Sequence, residues 1–261
     1  MKTRSLLKKL SQFYPKKIAM KYKDYPGLQL GKLKENTNTI LVCLDFDEEV
    51  YEIMDKNNLF EEVDLIITHH PFIYGKLQKV LQNDQNKAAL YNKILQKNIP
   101  ICSYHTNFDE GKDGMNDALA NALELLDIHP LNLIPMARGG HLKRAMNVED
   151  FAHYANEKLN VEYSVLISKG KQTVQSVAIV GGGGRYDYRA AQEEGYDIFI
   201  SGDVPHHGRR GVISYKYNYL DMPHEIERIF IDAMSNKLNE IDSSLKIIKI
   251  NHEKLPKLII K

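Results

Sequence analysis

Apolar residues come in short unbroken runs, and between the runs they recur at helical spacing, so extended and helical signals alternate through most of the chain. In the first half the runs at 40–46, 63–68 and 99–104 predict strands, and the intervening periodicity predicts helices at 47–57, 86–97 and 115–126. The second half repeats the alternation. It predicts a helix at 148–159, strands at 163–167 and 174–180, a helix at 187–194, a strand at 197–201, a long helix over 223–238 and a last strand at 245–250. This is the pattern of an α/β protein. The stretch 130–142 carries Pro130, Pro135, Gly139 and Gly140 and is the one linker-like segment. It predicts two lobes, 1–129 and 130–261, each a mixed sheet flanked by helices.

Composition narrows the function classes. With 261 residues, 43% hydrophobic and 26% charged, the chain has the material for one large core or two small ones. Thirty-five basic against 34 acidic residues leave a net charge of +1, which supplies no global field for a polyanion, so nucleic acid is not an expected partner. Cys43 and Cys102 both lie inside strand-like runs and read as buried thiols rather than a disulfide framework. Residues 1–12 are Lys-rich and amphipathic, with Leu6, Leu7 and Leu10 at helical spacing and no signal-peptide core. No segment approaches the roughly 20 apolar residues of a membrane span, and the expected location is the cytoplasm.

Four polar clusters sit where strands end or a helix begins. Thr68-His69-His70-Pro71 closes the second strand, at the kind of strand end where ligands bind in open α/β sheets. Adjacent side chains on a strand point to opposite faces, so the two imidazoles share a site only if the chain turns there. His105-Thr106-Asn107-Phe108-Asp109 follows the third strand and offers an imidazole and a carboxylate. Asp221-Met222-Pro223-His224-Glu225-Ile226-Glu227 has the grammar of a helix start, with Asp221 as cap and Pro223 in the first turn. His224 and Glu227, three residues apart, then project from one face, while Glu225 lies about 100° around the helix. His206 and His207 follow another strand end, that of 197–201. The Gly181 to Gly184 run lacks the spacing of a phosphate loop and reads as a tight turn with close backbone packing. Taken one at a time, such clusters read as solvated loops and helix caps. Their recurrence at strand ends points to one shared site of imidazoles and carboxylates, a donor set that suits Zn, Mn, Fe or Ni.

In order and spacing these motifs resemble the GTP cyclohydrolase 1 type 2 (Nif-three-like) family over nearly the whole chain, including Leu44-Asp45, Gly181 to Gly184, and Ser201-Gly202-Asp203 with His207. The resemblance implies a dinuclear site of two divalent ions held by His69, His70, Asp109, His224 and Glu227, with His105 close by. It also implies a two-lobed Nif-three-like fold whose last helix, from about 223, returns ligands to the shared site, and a ring-shaped homohexamer. Two departures stand out. The family has Gly-His followed by Glu four residues after the His; here Pro223 precedes His224 and Arg228 holds the later position, so Glu227 or Glu225 is the final ligand. Where the family has Lys-Tyr-His, this chain has Pro205-His206-His207.

Two functional readings follow. One is a metal-dependent hydrolase, with His105 and His207 as proton-transfer groups and a nucleotide or phosphorylated small molecule as substrate. The other is a metal-binding regulatory or chaperone-like assembly without turnover.

Overall fold

The structure is a computed structural model and describes residues 1–259. The chain begins with α1 (Thr3–Phe13), α2 (Lys16–Lys21), β1 (Gly27–Leu30), β2 (Thr39–Cys43), α3 (Glu48–Lys56), β3 (Leu65–Thr68), α4 (Leu77–Asn83), α5 (Gln85–Lys97), β4 (Ile101–Ser103) and α6 (Thr106–Glu110). It continues with α7 (Met115–Ala122), β5 (Leu126–Pro130), β6 (Arg138–Asn147), α8 (Val148–Lys158), β7 (Val165–Ser168), β8 (Thr173–Gly183), α9 (Tyr188–Glu193) and β9 (Ile198–Gly202). The last elements are α10 (His206–Ser214), β10 (Asn218–Met222), a 3₁₀ turn (His224–Arg228), α11 (Ile229–Ile241) and β11 (Lys246–Lys249).

These elements form two compact units. The first comprises Met1–Lys112 with Phe230–His252, and the second Asp113–Ile229 with the tail from Glu253.

The first unit is built on a sheet of order β1-β4-β3-β2-β11. β11, β2, β3 and β4 run parallel, and β1 closes the edge antiparallel to β4. Every residue of β2, β3 and β4 is buried, which is why these strands read as unbroken apolar runs: helices cover both faces of a parallel sheet. Leu41, Ile66 and Ile101 pack with Val50 and Met54 of α3 and with Leu90 and Ile94 of α5. Local chemistry sets the helix starts. Asp47 accepts the Val50 amide to cap α3, and Asp84 accepts the Lys87 amide to cap α5. Both cysteines are buried and neither is in a disulfide, as the sequence predicts.

The second unit holds a sheet of order β5-β6-β8-β9-β10-β7. Its centre, β8-β9-β10, is parallel, and antiparallel strands flank it on either side. Ala178, Val180, Phe199 and Tyr219 meet Tyr188, Ala191 and Val212 in its core. Among the described residues no helix is long and apolar enough to cross a membrane.

The α/β class and the mixed sheets stand as expected; several local expectations do not. The stretch 130–142 is not a linker but part of a β-hairpin inside the second unit, and the two units divide after Lys112 rather than at 129. Arg138, almost fully buried, anchors the hairpin by donating to the Asp117 carboxylate and to the carbonyls of Pro135 and Met136. The glycines serve packing: a Cβ on Gly140 would stand 2.8 Å from the Leu126 carbonyl oxygen. The helix expected over 115–126 ends at Ala122, and its last residue already begins β5. The expected helix over 223–238 starts as a 3₁₀ turn. Asp221, expected to cap it, lies in β10 and pairs with Arg209 at 2.9 Å, so Pro223 occupies the N-cap position without a capping side chain.

Gly140→Ala discriminates between hairpin and linker. In a linker the substitution would stabilise by about 0.4–1 kcal/mol through the unfolded state. In β6, against an immovable backbone oxygen, it should destabilise by about 1–3 kcal/mol, measured by urea denaturation.

Candidate metal centre

β2, β3 and β4 are parallel neighbours, so their carboxyl ends, and the polar residues that follow, lie along one edge of the first sheet. The ladder ends at Thr68, and there the chain turns. The amides of His69 and His70 both donate to the Leu44 carbonyl, at 3.0 and 3.2 Å, and the Thr68 hydroxyl donates to the His70 carbonyl at 2.7 Å. The turn cancels the alternation that would send adjacent side chains to opposite faces. The His69 and His70 rings therefore lie 4.8 Å apart, and the His105 ring is 5.1 and 5.6 Å from them. The ligand atoms of these three histidines all fall within 4.8 Å of one another, a cluster competent to hold a metal ion.

Each imidazole is oriented through Nδ1. That of His69, fully buried, meets the Tyr104 carbonyl at 2.9 Å; a carbonyl only accepts, so Nδ1 carries the proton. His70 Nδ1 meets the Asp45 carboxylate and His105 Nδ1 the Asp24 carboxylate, both at 2.8 Å. In the neutral rings Nε2 is then the nitrogen with the lone pair, the arrangement by which carboxylates and carbonyls orient metal-ligating histidines. Burial opposes ionisation of Asp24. The His105 and Thr106 side chains, the charge of His105 and the Tyr25 amide outweigh it and hold the carboxyl at about 2. Asp109, buried on α6, has Oδ1 3.5 Å from His69 Nε2. Phe108 and Phe230, 4.9 Å apart, pack against the His69 ring.

The second unit has its own donor pair, at the carboxyl end of β10. In a 3₁₀ turn residues three apart eclipse, which stacks His224 directly on Glu227: Nε2 to Oε2 is 2.9 Å, and Asp203 holds Nδ1 at 2.5 Å. The hydrogen bond to the buried Glu227 pushes the His224 imidazole up to about 9, against the desolvation that opposes it, with Asp203 adding to the rise. Glycine makes room for the carboxylate. Gly182 has φ +61°, and a Cβ there would stand 2.6 Å from Glu227 Oε1. The expected tight turn over Gly181 to Gly184 is instead the irregular end of β8, where Gly183 still pairs with Gly202; the close packing expected there stands. A cavity of about 350 Å³ opens beside His224, lined by Tyr163, Arg209, Asp221 and Glu225 among others.

Of the residues singled out in the sequence, the first unit brings together His69, His70, His105 and Asp109, and the second His224 and Glu227. His207 is exposed on the first turn of α10, its ring 5.7 Å from that of His206, and His207 belongs to neither cluster. Sequence reasoning missed Asp24 altogether: it reaches His105 across 81 positions with no local motif to mark it. Asp45 and Asp203 stood in quoted motifs without a role.

Comparison with known proteins agrees with this architecture. The profile of the Duf34/NIF3 (NGG1p interacting factor 3) family matches residues 1–256. A Lactococcus lactis protein named GTP cyclohydrolase 1 type 2 homolog is 28% identical, the match covering 98% of each chain. A Bacillus subtilis protein of the same name is 23% identical over 92% of this chain and 93% of its own. Among solved structures, a Bacillus cereus protein related to NIF3 superposes with a TM-score of 0.86 at 20% identity, covering 100% of this chain and 99% of its own. Reduced HcgD from Methanocaldococcus jannaschii gives 0.77 at 24% identity, covering 95% and 97%. At these identities the structures speak for the fold.

In metal-free protein the raised His224 contributes stability that is fully present below the ordinary imidazole value and lost as pH rises through about 9. Thermal melts of the chelator-treated protein from pH 6 to 10 should show this loss, and His224→Gln should flatten it.

Proposed function

The chain belongs to the Duf34/NIF3 family, and on that footing we propose that it is a dinuclear divalent-metal protein acting as a metal-dependent hydrolase. In this reading the ligands are His69, His70 and Asp109 from the first unit and His224 and Glu227 from the second, with two ions drawn from Zn, Mn, Fe and Ni. The observation that carries the reading is the orientation of the imidazoles. His69, His70, His105 and His224 all have Nδ1 engaged by an oxygen acceptor, so each meets a ligand through Nε2. The absence of thiolates from the set fits hydrolytic rather than structural metal chemistry.

When bound, the ions lower the pKa of a water and polarise a substrate oxygen. The protein's own residues supply the rest. His105, fixed by Asp24, is the first candidate for moving a proton; His207, exposed, is the second. Asp45, Asp24 and Asp203 keep the imidazoles aligned through their Nδ1 atoms. The name carried by the curated relatives makes GTP one substrate to test, and a phosphorylated small molecule is the other. The same family resemblance supports a cytoplasmic homohexamer.

Elemental analysis of purified protein tests the centre. About two ions per chain are expected, falling clearly in a His70→Ala, Asp109→Ala double variant. A parent that stays metal-free after incubation with Zn, Mn, Fe and Ni under reducing conditions would sink the proposal. Bound metal without turnover of any phosphoester or nucleotide would favour the non-enzymatic assembly.

A further inference from the structure

Beside the histidine cluster, and on the first unit alone, lies a cavity of about 460 Å³ between the α2–β1 connection and the segment after Pro71. Its size is that of a small-molecule site. Tyr25 and Tyr74 line it and are 76% and 75% exposed, an unusual state for two large rings on one depression. Leu28 and Ile73 extend the apolar wall, and Lys23 and Lys76 bring two ammonium groups that form no ion pair among the described residues. The one carboxylate in the lining, Asp24, is engaged by His105, Thr106 and the Tyr25 amide. The cavity adjoins the cluster directly: Pro71 follows His70, and the Tyr74 ring stands edge-on to His105 at 6.4 Å.

The backbone adds a second observation. Lys23 has φ 57°, the left-handed position after α2 where glycine is ordinarily found. A lysine there costs conformational energy that glycine would not, and its side chain lines the cavity. Gly75, at φ 110°, leaves open space opposite.

We infer that this cavity binds a small aromatic phosphomonoester, the ring lying against Tyr25 and Tyr74 and the dianion between Lys23 and Lys76. As a substrate subsite this rests on the hydrolase reading; as a binding site it does not. The probe is phenylphosphonate, which keeps ring and dianion but resists hydrolysis, titrated by calorimetry against the whole protein, with methylphosphonate and phenol as halves. Phenylphosphonate should bind saturably and more tightly than either half.

Lys76→Glu, at a helix N-cap where an acid is well tolerated, should weaken binding by about ten-fold, and Tyr74→Leu should remove the preference over methylphosphonate. Lys23→Gly should weaken binding while Tm holds or rises, a combination that structural damage would not produce. Metal content measured on the same samples separates the two readings. Binding that survives all three variants, or metal-loaded protein that does not bind phenylphosphonate, overturns this inference and leaves the metal centre standing. Metal-free protein that binds and responds to the variants supports it and counts against the hydrolase.

Discussion

The Leu44 carbonyl accepts two amides, those of His69 and His70, and the geometry of the first unit's cluster follows from that shared acceptor. A strand that ran on past Thr68 would place the two rings on opposite faces of the sheet. Bending both amides onto one oxygen at the end of the neighbouring strand brings the rings to the same side, and the Thr68 hydroxyl closes the turn. The next strand along adds the Tyr104 carbonyl, which fixes the His69 ring. Three parallel strand ends are thereby tied together by backbone groups, and the imidazoles inherit the rigidity of a sheet whose central residues are wholly buried. Backbone acceptors suit this task because side-chain substitution does not remove them.

The second unit reaches a comparable end by different means. Its donors are stacked by a 3₁₀ turn, in which the three-residue spacing eclipses, and the carboxylate has space because glycines face it. Burying Glu227 without a partner would be costly. In metal-free protein the His224 imidazole, pushed up to about 9, offsets that cost, and Asp203 steadies the other nitrogen. A group that holds a proton so firmly would have to release it to take a metal, so metal binding by this pair would be linked to pH.

Three aspartates, at 24, 45 and 203, set the directions of the His105, His70 and His224 rings. They act by hydrogen bonding at Nδ1, which sets tautomer and direction together. Asp24 is buried and shared among His105, Thr106 and the Tyr25 amide, whereas Asp203, at φ 58°, reaches His224 from an exposed position.

The sequence by itself determined the α/β class, the buried state of both cysteines, and the positions at which chemistry concentrates. Those features are written in local pattern: unbroken apolar runs mark strands covered on both faces, and histidines at their ends have only one edge of a parallel sheet to occupy. The glycine run was legible as a place of close packing, but not as the irregular end of a strand that it forms. Other features belonged to tertiary structure. Pro and Gly over 130–142 carry the local signal of a linker, and only the contacts of Arg138 with Asp117 and of Gly140 with Leu126 make them a hairpin. The capping role expected of Asp221 went instead to pairing with Arg209, a contact that forms only once β10 is in the sheet. Asp24 shows no motif because its meaning lies 81 residues away, at His105. Local periodicity reports what a segment must bury; it carries no record of which distant group will complete a hydrogen bond, and that is decided when the strands come into register.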